Sequence, residues 1–506
     1  MTRTGWTFDW AHGDGASADP GIGAGNGVAL TGEARRRVRL LLLVVALVAG
    51  LAVADGLTGR AGTPVPARST TSVFGEAVPS AEAESSAWFC VGAASAGAGA
   101  PGRLVLTNPT ARVVSGTVSS VSAGGSGGTT EVSVPAHGQT SAVPAQVASS
   151  SWEAATVLFD GGGVGVSETV VGPLGWSMAP CASSTSSTWY FAHGSTASGA
   201  TLSLSLYNPS RAEAVVDVTL DSASAGQVRP PAYQGIGVPA GSLVVENIGD
   251  HLLSDPSVAT EVSTSSGTVV AAELQLTLNA GSAGASLLLG AGARETEWDF
   301  PQNEDAAAGN TVFHVFNPSD GEALVSAKVN VPGESGNGPI SIRVPPHSVS
   351  DLVAHSEPQI PSSTSYAIRF ASAGDIGIVV DREVVSPPGS PAPQVGEVHG
   401  FPGGVRRVLL PAVIPPGVGA PDLAISDLSS RPVTVTVESV VRGVPLAGLD
   451  LRVVQPGESL VTTPGVAPQI GAVPLVVTAS GPVAVELDGA PAGMAGAVVV
   501  PALVLG

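Results

Sequence analysis

The sequence predicts an all-β protein: four tandem immunoglobulin-like β-sandwich modules after one N-terminal transmembrane helix. Three observations carry that expectation. A phrase ending in Asn-Pro recurs at Leu104–Pro109, Leu204–Pro209 and Val312–Pro318, so Asn108, Asn208 and Asn317 stand 100 and 109 residues apart. A second phrase keeps step with it: Val134–His137, Val238–Gly241, Val344–His347 and, more loosely, Val454–Gly457. Aromatic groups open the units at Trp88-Phe89, Trp189-Tyr190 and Trp298-Asp299-Phe300, and more weakly at Phe401. Three landmarks in a fixed order, repeated at a fixed period, mean tandem modules.

Each module reads as β-rich. Leu202–Leu206, Ile340–Val344 and Val433–Val437 alternate apolar and polar residues, the signal of a half-buried antiparallel strand. Gly, Ser, Pro and Asn clusters between such runs are turn chemistry. Asn-Pro closes a strand because proline lacks the N–H that a ladder needs. Pro-Ala-Gly and Pro-Ala-His read as tight turns: Pro sets the first corner and Gly tolerates positive φ. Six or seven short strands fit one period, which suits an immunoglobulin-like sandwich better than a propeller blade of about 40–45 residues. The fourth unit keeps the strand pattern in Asp422–Leu428 after losing the Asn-Pro, so the modules number four rather than three.

The expected divisions are 1–37, a cytoplasmic disordered segment; 38–57, a signal-anchor or signal peptide; 58–85, a Gly/Pro/Ser spacer; then sandwiches at 86–182, 183–291, 292–394 and 395–506. Arg35–Arg39 precede the apolar run Leu40–Ala54, which places the basic side in the cytoplasm. The run reaches spanning length only by including Val38, a snorkelling Arg39 and the stretch to Leu57. The competing reading takes Ala52-Val53-Ala54 as a cleavage signal, which would release a secreted protein. Both readings export everything beyond about residue 57.

Net charge is −20, and residues 1–57 hold five Arg and five acids, so the whole imbalance falls on the exported modules. An acidic surface of scattered charges disfavours phosphate-backbone binding and favours solubility or divalent cations, a solvated surface being the plainer reading. Cys90 and Cys181 both lie in the exported part; an even count there reads as one disulfide stapling the ends of module one, with two separate thiols as the alternative.

No catalytic constellation stands out. Gly124–Gly128 matches G-x-S-x-G at Ser126, but a glycine loop runs into a strand where a nucleophile elbow needs a helix. Gly161–Gly163 reads as a hairpin loop with no helix behind it to bind phosphate. His137 and His347 occupy a turn position that is Gly241 in module two; His251, His314, His355 and His399 fall at unrelated points of the repeat. Neither H-x-x-x-H nor C-x-x-C occurs, and Asp217, Asp221, Glu246, Asp250, Asp351, Asp381 and Glu383 form no calcium loop. The expectation is therefore no catalytic residue, no metal ligand set and no cofactor. Trp88, Trp189 and Trp298 could stack on sugars, but their repeated place on the opening strand favours packing.

The arrangement resembles a family of actinobacterial membrane-anchored or exported proteins of unknown function. The residues that carry the likeness are Trp88-Phe89-Cys90, Ala179-Pro180-Cys181, Trp189–Thr196 and Tyr207-Asn208-Pro209, behind the N-terminal anchor. The resemblance implies no activity. The expected function is a non-enzymatic, membrane-anchored extracytoplasmic scaffold or binding protein of the cell envelope, whose partner is an envelope protein or a glycan and not nucleic acid. The alternatives are an array of modules that bind wall polysaccharide and, more weakly, an enzyme with a site assembled between modules.

Overall fold

The structure, a computed structural model, describes residues 76–505 except 95–98, 123–124, 145–150, 280–281, 304–309, 333–337, 361, 363, 386–394, 414–420, 464 and 490–497. The expected membrane helix, and its cleavage alternative after Ala54, lie outside the described residues. Among those described, no helix is long and apolar enough to cross a membrane.

Strands dominate because β-branched and small residues alternate between turn clusters. Each of the first three modules is a sandwich of two antiparallel sheets with one strand plan. In module three the first sheet orders Glu297–Asn303, Tyr366–Ser372, Ala323–Asn330 and Ile340–Val344. The second orders Ser348–Val353, Asn310–Asn317, Val379–Val385 and Val395–His399. Numbered along the chain, the strand orders are 1-6-3-4 and 5-2-7-8; module one repeats them, and so does module two with its fourth strand split into Gly226–Val228 and Ile236–Val238. In module four one long strand, Leu475–Gly489, plays both sixth and seventh, which fuses the two sheets into one of ten strands.

The sandwich is as expected, but its pairing is not that of an immunoglobulin domain. There the first strand lies beside the second; here Ser86–Ala94 lies beside the sixth, Trp152–Phe159. Eight strands form in modules one and three and nine in module two, rather than six or seven, and the eighth of module three moves a boundary. Val395–His399, expected to open module four, pairs with Val379–Val385 and closes module three. Phe401 is therefore not an opener: it bridges back to Asp299, as Ala291 does to Tyr190 and Ala182 to Phe89. Gly161–Gly163 is a crossing between sheets rather than a hairpin; a Cβ on Gly162 would meet Ser80 O at 1.9 Å. Residues 76–85 are likewise no spacer, since Ala77–Val78 pairs in parallel with Val504-Leu505.

The landmarks are structural devices. Asn208 is fully buried; its Nδ2 donates to Ala212 O at 2.7 Å and Val238 O at 2.8 Å, while its Oδ1 accepts from Ser210 N at 2.9 Å and Ser210 Oγ at 2.6 Å. One side chain thus ties the turn after the second strand to the turn before the fifth. Asn108 and Asn317 make the same bonds. In module four Asp427 takes the place and keeps the acceptor half, to Ser429 N at 2.7 Å. The last residue of each Val-Pro phrase is left-handed: His137, Gly241, His347 and Gly457 have φ of 50°, 63°, 49° and 74°.

The modules close into a ring. The first sheet of each packs on the second sheet of the next. Val91, Val121 and Ala154 of module one join the core of module two, and Tyr190, Ala192 and Ala259 of module two join that of module three. Between modules three and four, Gln302 N donates to Glu486 Oε1 at 3.0 Å and Ser459 Oγ to Pro301 O at 3.0 Å. Leu409, Val476 and Leu503 of module four close the circle in the core of module one. This explains why strand Ala200–Asn208, expected to be half-buried, hides both faces: its outward side lies against module one, where Thr156 Oγ1 and the Tyr207 hydroxyl share a hydrogen bond of 2.6 Å. At the centre, the ends of the eighth strands meet around a cavity of about 60 Å³ walled by Met178, Leu287, Leu289, Glu397, His399 and Glu486 among others.

Candidate functional site

A cluster of buried ionisable residues lies in the joint between modules two and three. The second sheet of module three turns one face to its own core, through Phe313, Val315 and Val380. Period two sends the residues between them to the other face. Register places Asp351 opposite His314, His314 opposite Asp381 and Asp381 opposite His399, one row across four strands. Glu383 and Glu397 form a second row, two residues along. Acid and base alternate along the first row.

His314 Nδ1 bonds Asp351 Oδ1 at 2.8 Å, and its Nε2 stands 3.7 Å from Glu383 Oε2. His399 has both nitrogens engaged: Nε2 donates to Leu289 O at 2.8 Å and Nδ1 pairs with Asp381 Oδ1. Burial opposes charge on this ring, but Asp381 beside it outweighs burial and raises its pKa. Asp381 Oδ2 also accepts from Ala192 N of module two at 2.6 Å. From the loop after strand Thr188–Phe191, module two adds His193, whose ring stacks on His314 with centroids 3.8 Å apart and planes 10° from parallel. His193 Nδ1 lies 3.4 Å from Glu397 Oε1. Glu273 of module two is buried nearby.

The electrostatics follow from burial against mutual charge. Burial opposes charge on His193, but Glu397 beside it, with Glu383 and Asp351 near, outweighs this and lifts its pKa to about 10. Burial would raise Glu383, yet His193 and His314 pull it down to about 2. Glu397 and Glu273 move up, burial being the larger cause in each. Donor atoms of His193, His314 and Glu383 lie within 4.8 Å of one another, a spacing compatible with one metal ion. This is what the sequence reading missed. The cavity at the ring centre does not include His193, His314 or Glu383 in its wall. Asp351 and Glu383, with side chains 45% and 21% exposed, lead from the cluster towards solvent.

The residues singled out from sequence fall elsewhere. Cys90 and Cys181 are bonded to each other. Trp88, Trp189 and Trp298 are buried to 1% exposure or less, so none presents a face to a sugar. Trp189 Nε1 donates to Val269 O at 2.9 Å and Trp298 Nε1 to Ile378 O at 2.8 Å, the same bond in two modules. Ser126 sits in strand Gly125–Val134, opposite Val121. His137 and His347 are turn residues. A signal for the missed cluster was present. The positions three residues before Asn108, Asn208 and Asn317 are Val105, Ser205 and His314, so only module three carries an ionisable group there. Asp381 with Glu383, and Glu397 with His399, are pairs spaced by two, hence on one sheet face.

Solved structures offer distant likenesses. The Thermotoga maritima 1070 structure is 15% identical, covering 21% of this chain and 94% of its own, with a TM-score of 0.19. The Anabaena sensory rhodopsin transducer is 22% identical, covering 18% and 88%, with a TM-score of 0.16. A tetra-tandem repeat from the extending region of a large adhesion protein is 11% identical, covering 82% and 99%, with a TM-score of 0.11. At such TM-scores they say nothing about this chain's fold or function. No curated protein matches the sequence. Residues 163–356, from the end of module one to the fifth strand of module three and including His193, His314 and Asp351, match a family of unknown function, DUF5719.

Proposed function

We propose that this chain is a non-enzymatic extracytoplasmic scaffold of the cell envelope, tethered through its apolar segment at 38–57 and holding an envelope protein or glycan. The observation that carries the reading is ring closure. Ala77–Val78, the first described strand, pairs in parallel with Val504-Leu505 near the chain's other end. The four modules thereby form one closed body, a geometry suited to a platform. The repeated landmarks are consumed in folding, as clamps, turns and buried indoles, which leaves none of them for catalysis. The Cys90–Cys181 bond supports an oxidising, extracytoplasmic location. The many arginines beside a single lysine, Lys328, suit a GC-rich, actinobacterial source.

The test is recovery of partners from the native envelope with the tagged full chain. A partner held in stoichiometric amount is the expected result. Hydrolytic or transferase turnover by the purified full chain would overturn the proposal, as would recovery of the chain alone.

A further inference from the structure

We propose that His193, His314 and Glu383 form a binding site for one divalent transition-metal ion of the zinc class, which pins module two to module three. This goes beyond the scaffold reading and stands or falls separately from it. Four observations converge.

The first is a gap that no hydrogen bond fills. His314 is 3% exposed, and its Nε2 has no hydrogen-bond partner. The Glu383 Oε2 it faces is 3.7 Å away, beyond the reach of a real hydrogen bond. Two ligands each about 2.05 Å from zinc stand about 3.3 Å apart at the tetrahedral angle and about 4.1 Å apart when opposite, so 3.7 Å falls inside that range.

The second is the bond on the other nitrogen. His314 Nδ1 is held by Asp351 Oδ1 at 2.8 Å. A carboxylate on the far side of an imidazole fixes its tautomer and aims the free nitrogen, as zinc-bound histidines require. The third is the donor set. Two imidazoles and a carboxylate suit zinc and its neighbours rather than calcium or magnesium, and three protein ligands leave a fourth position for water. His193, 5% exposed, supplies the third donor, although its Nδ1 stands 3.4 Å from Glu397 Oε1 and must give up that pairing if it is the nitrogen that turns to the ion. The fourth is position. The ligands come from both sides of a joint, and the counterparts of His314 in modules one and two are Val105 and Ser205, so the repeat does not explain the cluster.

The stacked rings define what must move. Lone pairs of near-parallel imidazoles do not converge on one point, so the His193 ring has to turn about χ2, a torsion with a broad minimum. The ion enters past Asp351 and Glu383, the two members nearest solvent.

The experiment uses the full chain, stripped with chelator and titrated with cobalt(II) and then zinc(II). The expected result is one saturable equivalent per chain, visible d–d absorption from cobalt, and its loss on zinc addition. Glu383→Gln and His314→Ala should each weaken binding at least 100-fold, and Asp351→Asn about 10- to 100-fold. Should His314→Ala fail to fold, the near-isosteric Glu383→Gln still decides. The proposal is overturned by folded wild-type chain that gives no cobalt absorption, by binding that Glu383→Gln leaves unchanged, or by a site that takes calcium in preference to cobalt.

Discussion

Replacing Asn208 by alanine tests whether the Asn-Pro phrase is a clamp. The side chain makes four hydrogen bonds of 2.6–2.9 Å from a fully buried position. At a net value of about 1 kcal/mol each the loss is about 4 kcal/mol, before any penalty for Val238 O left in a dry turn. The loss should be local, because the bonds join the turn at Pro209–Ala212 to the turn at Val238–Gly241. A four-module chain does not unfold as one two-state unit, so hydrogen exchange read by mass spectrometry is the suitable assay. Four kcal/mol corresponds to about three decades faster exchange across the 200–250 region. Module four offers an internal reference, since Asp427 holds the acceptor half alone. Asn208→Asp should therefore fall between wild type and Asn208→Ala at low pH, where a protonated carboxyl still donates once. It should be worse at neutral pH, where a carboxylate faces two carbonyl oxygens. Exchange within tenfold of wild type in Asn208→Ala would refute the clamp.

Three further outcomes follow from the packing. Leu409→Ala should cost about 2–5 kcal/mol, and because Leu409 sits in the core of module one, exchange should quicken at Gly102–Asn108 and Gly165–Gly172 as well as in module four; an effect confined to module four would deny ring closure. Replacing Cys90 and Cys181 together by serine opens a loop spanning 91 residues and should lower stability by about 4–5 kcal/mol in the chain-entropy account, read as a drop in the unfolding midpoint that reducing agent reproduces in wild type alone. Glu168, buried near Glu153, has its pKa raised to about 8 by burial first and Glu153 second. Its folded form keeps a proton that the unfolded chain gives up above about 4.5, so its contribution to stability falls as pH rises towards 8. Glu168→Gln should match wild type near pH 4 and exceed it increasingly up to pH 8; parallel pH profiles would contradict this.

The repeat, the strand class and the turn chemistry were legible because they are written locally. Asn108, Asn208 and Asn317 announce the same bonds in modules one to three, and the left-handed corner is visible where glycine and histidine exchange at one place, as at Gly241 and His347. The eighth strand was not legible in module three because the Pro-rich stretch at 386–394 reads as a linker, which hands Val395–His399 to the wrong neighbour. Ring closure was not legible either. It depends on outward faces of sheets, and in Ala200–Asn208 the outward Ser203 and Ser205 look like solvent positions although they are 4% and 0% exposed. A small polar residue is equally at home against water or a neighbouring sheet, so alternation alone does not distinguish the two.

The joints give that ambiguity a physical resolution. Two sheets pack back to back most closely where their outward side chains are small, and glycine marks such an approach: a Cβ on Gly92 of module one would meet Leu287 Cδ1 of module two at 2.5 Å. Small outward residues therefore make a joint possible, and ionisable outward residues make it costly unless each finds a partner. Module three carries such residues on both sides. Towards module four, buried Arg382 meets Asp488 at 3.2 Å and also donates to Asn303 Oδ1 at 3.0 Å. Towards module two, the second sheet presents His314, Asp381, Glu383, Glu397 and His399 together, and one nitrogen of His314 ends without a hydrogen bond. A repeat protein with no task at that joint would reach the same closure with the valine and serine its sister modules use. The cost of keeping histidines and carboxylates buried there sets the joint between modules two and three, rather than any landmark of the repeat, apart from the rest of the ring.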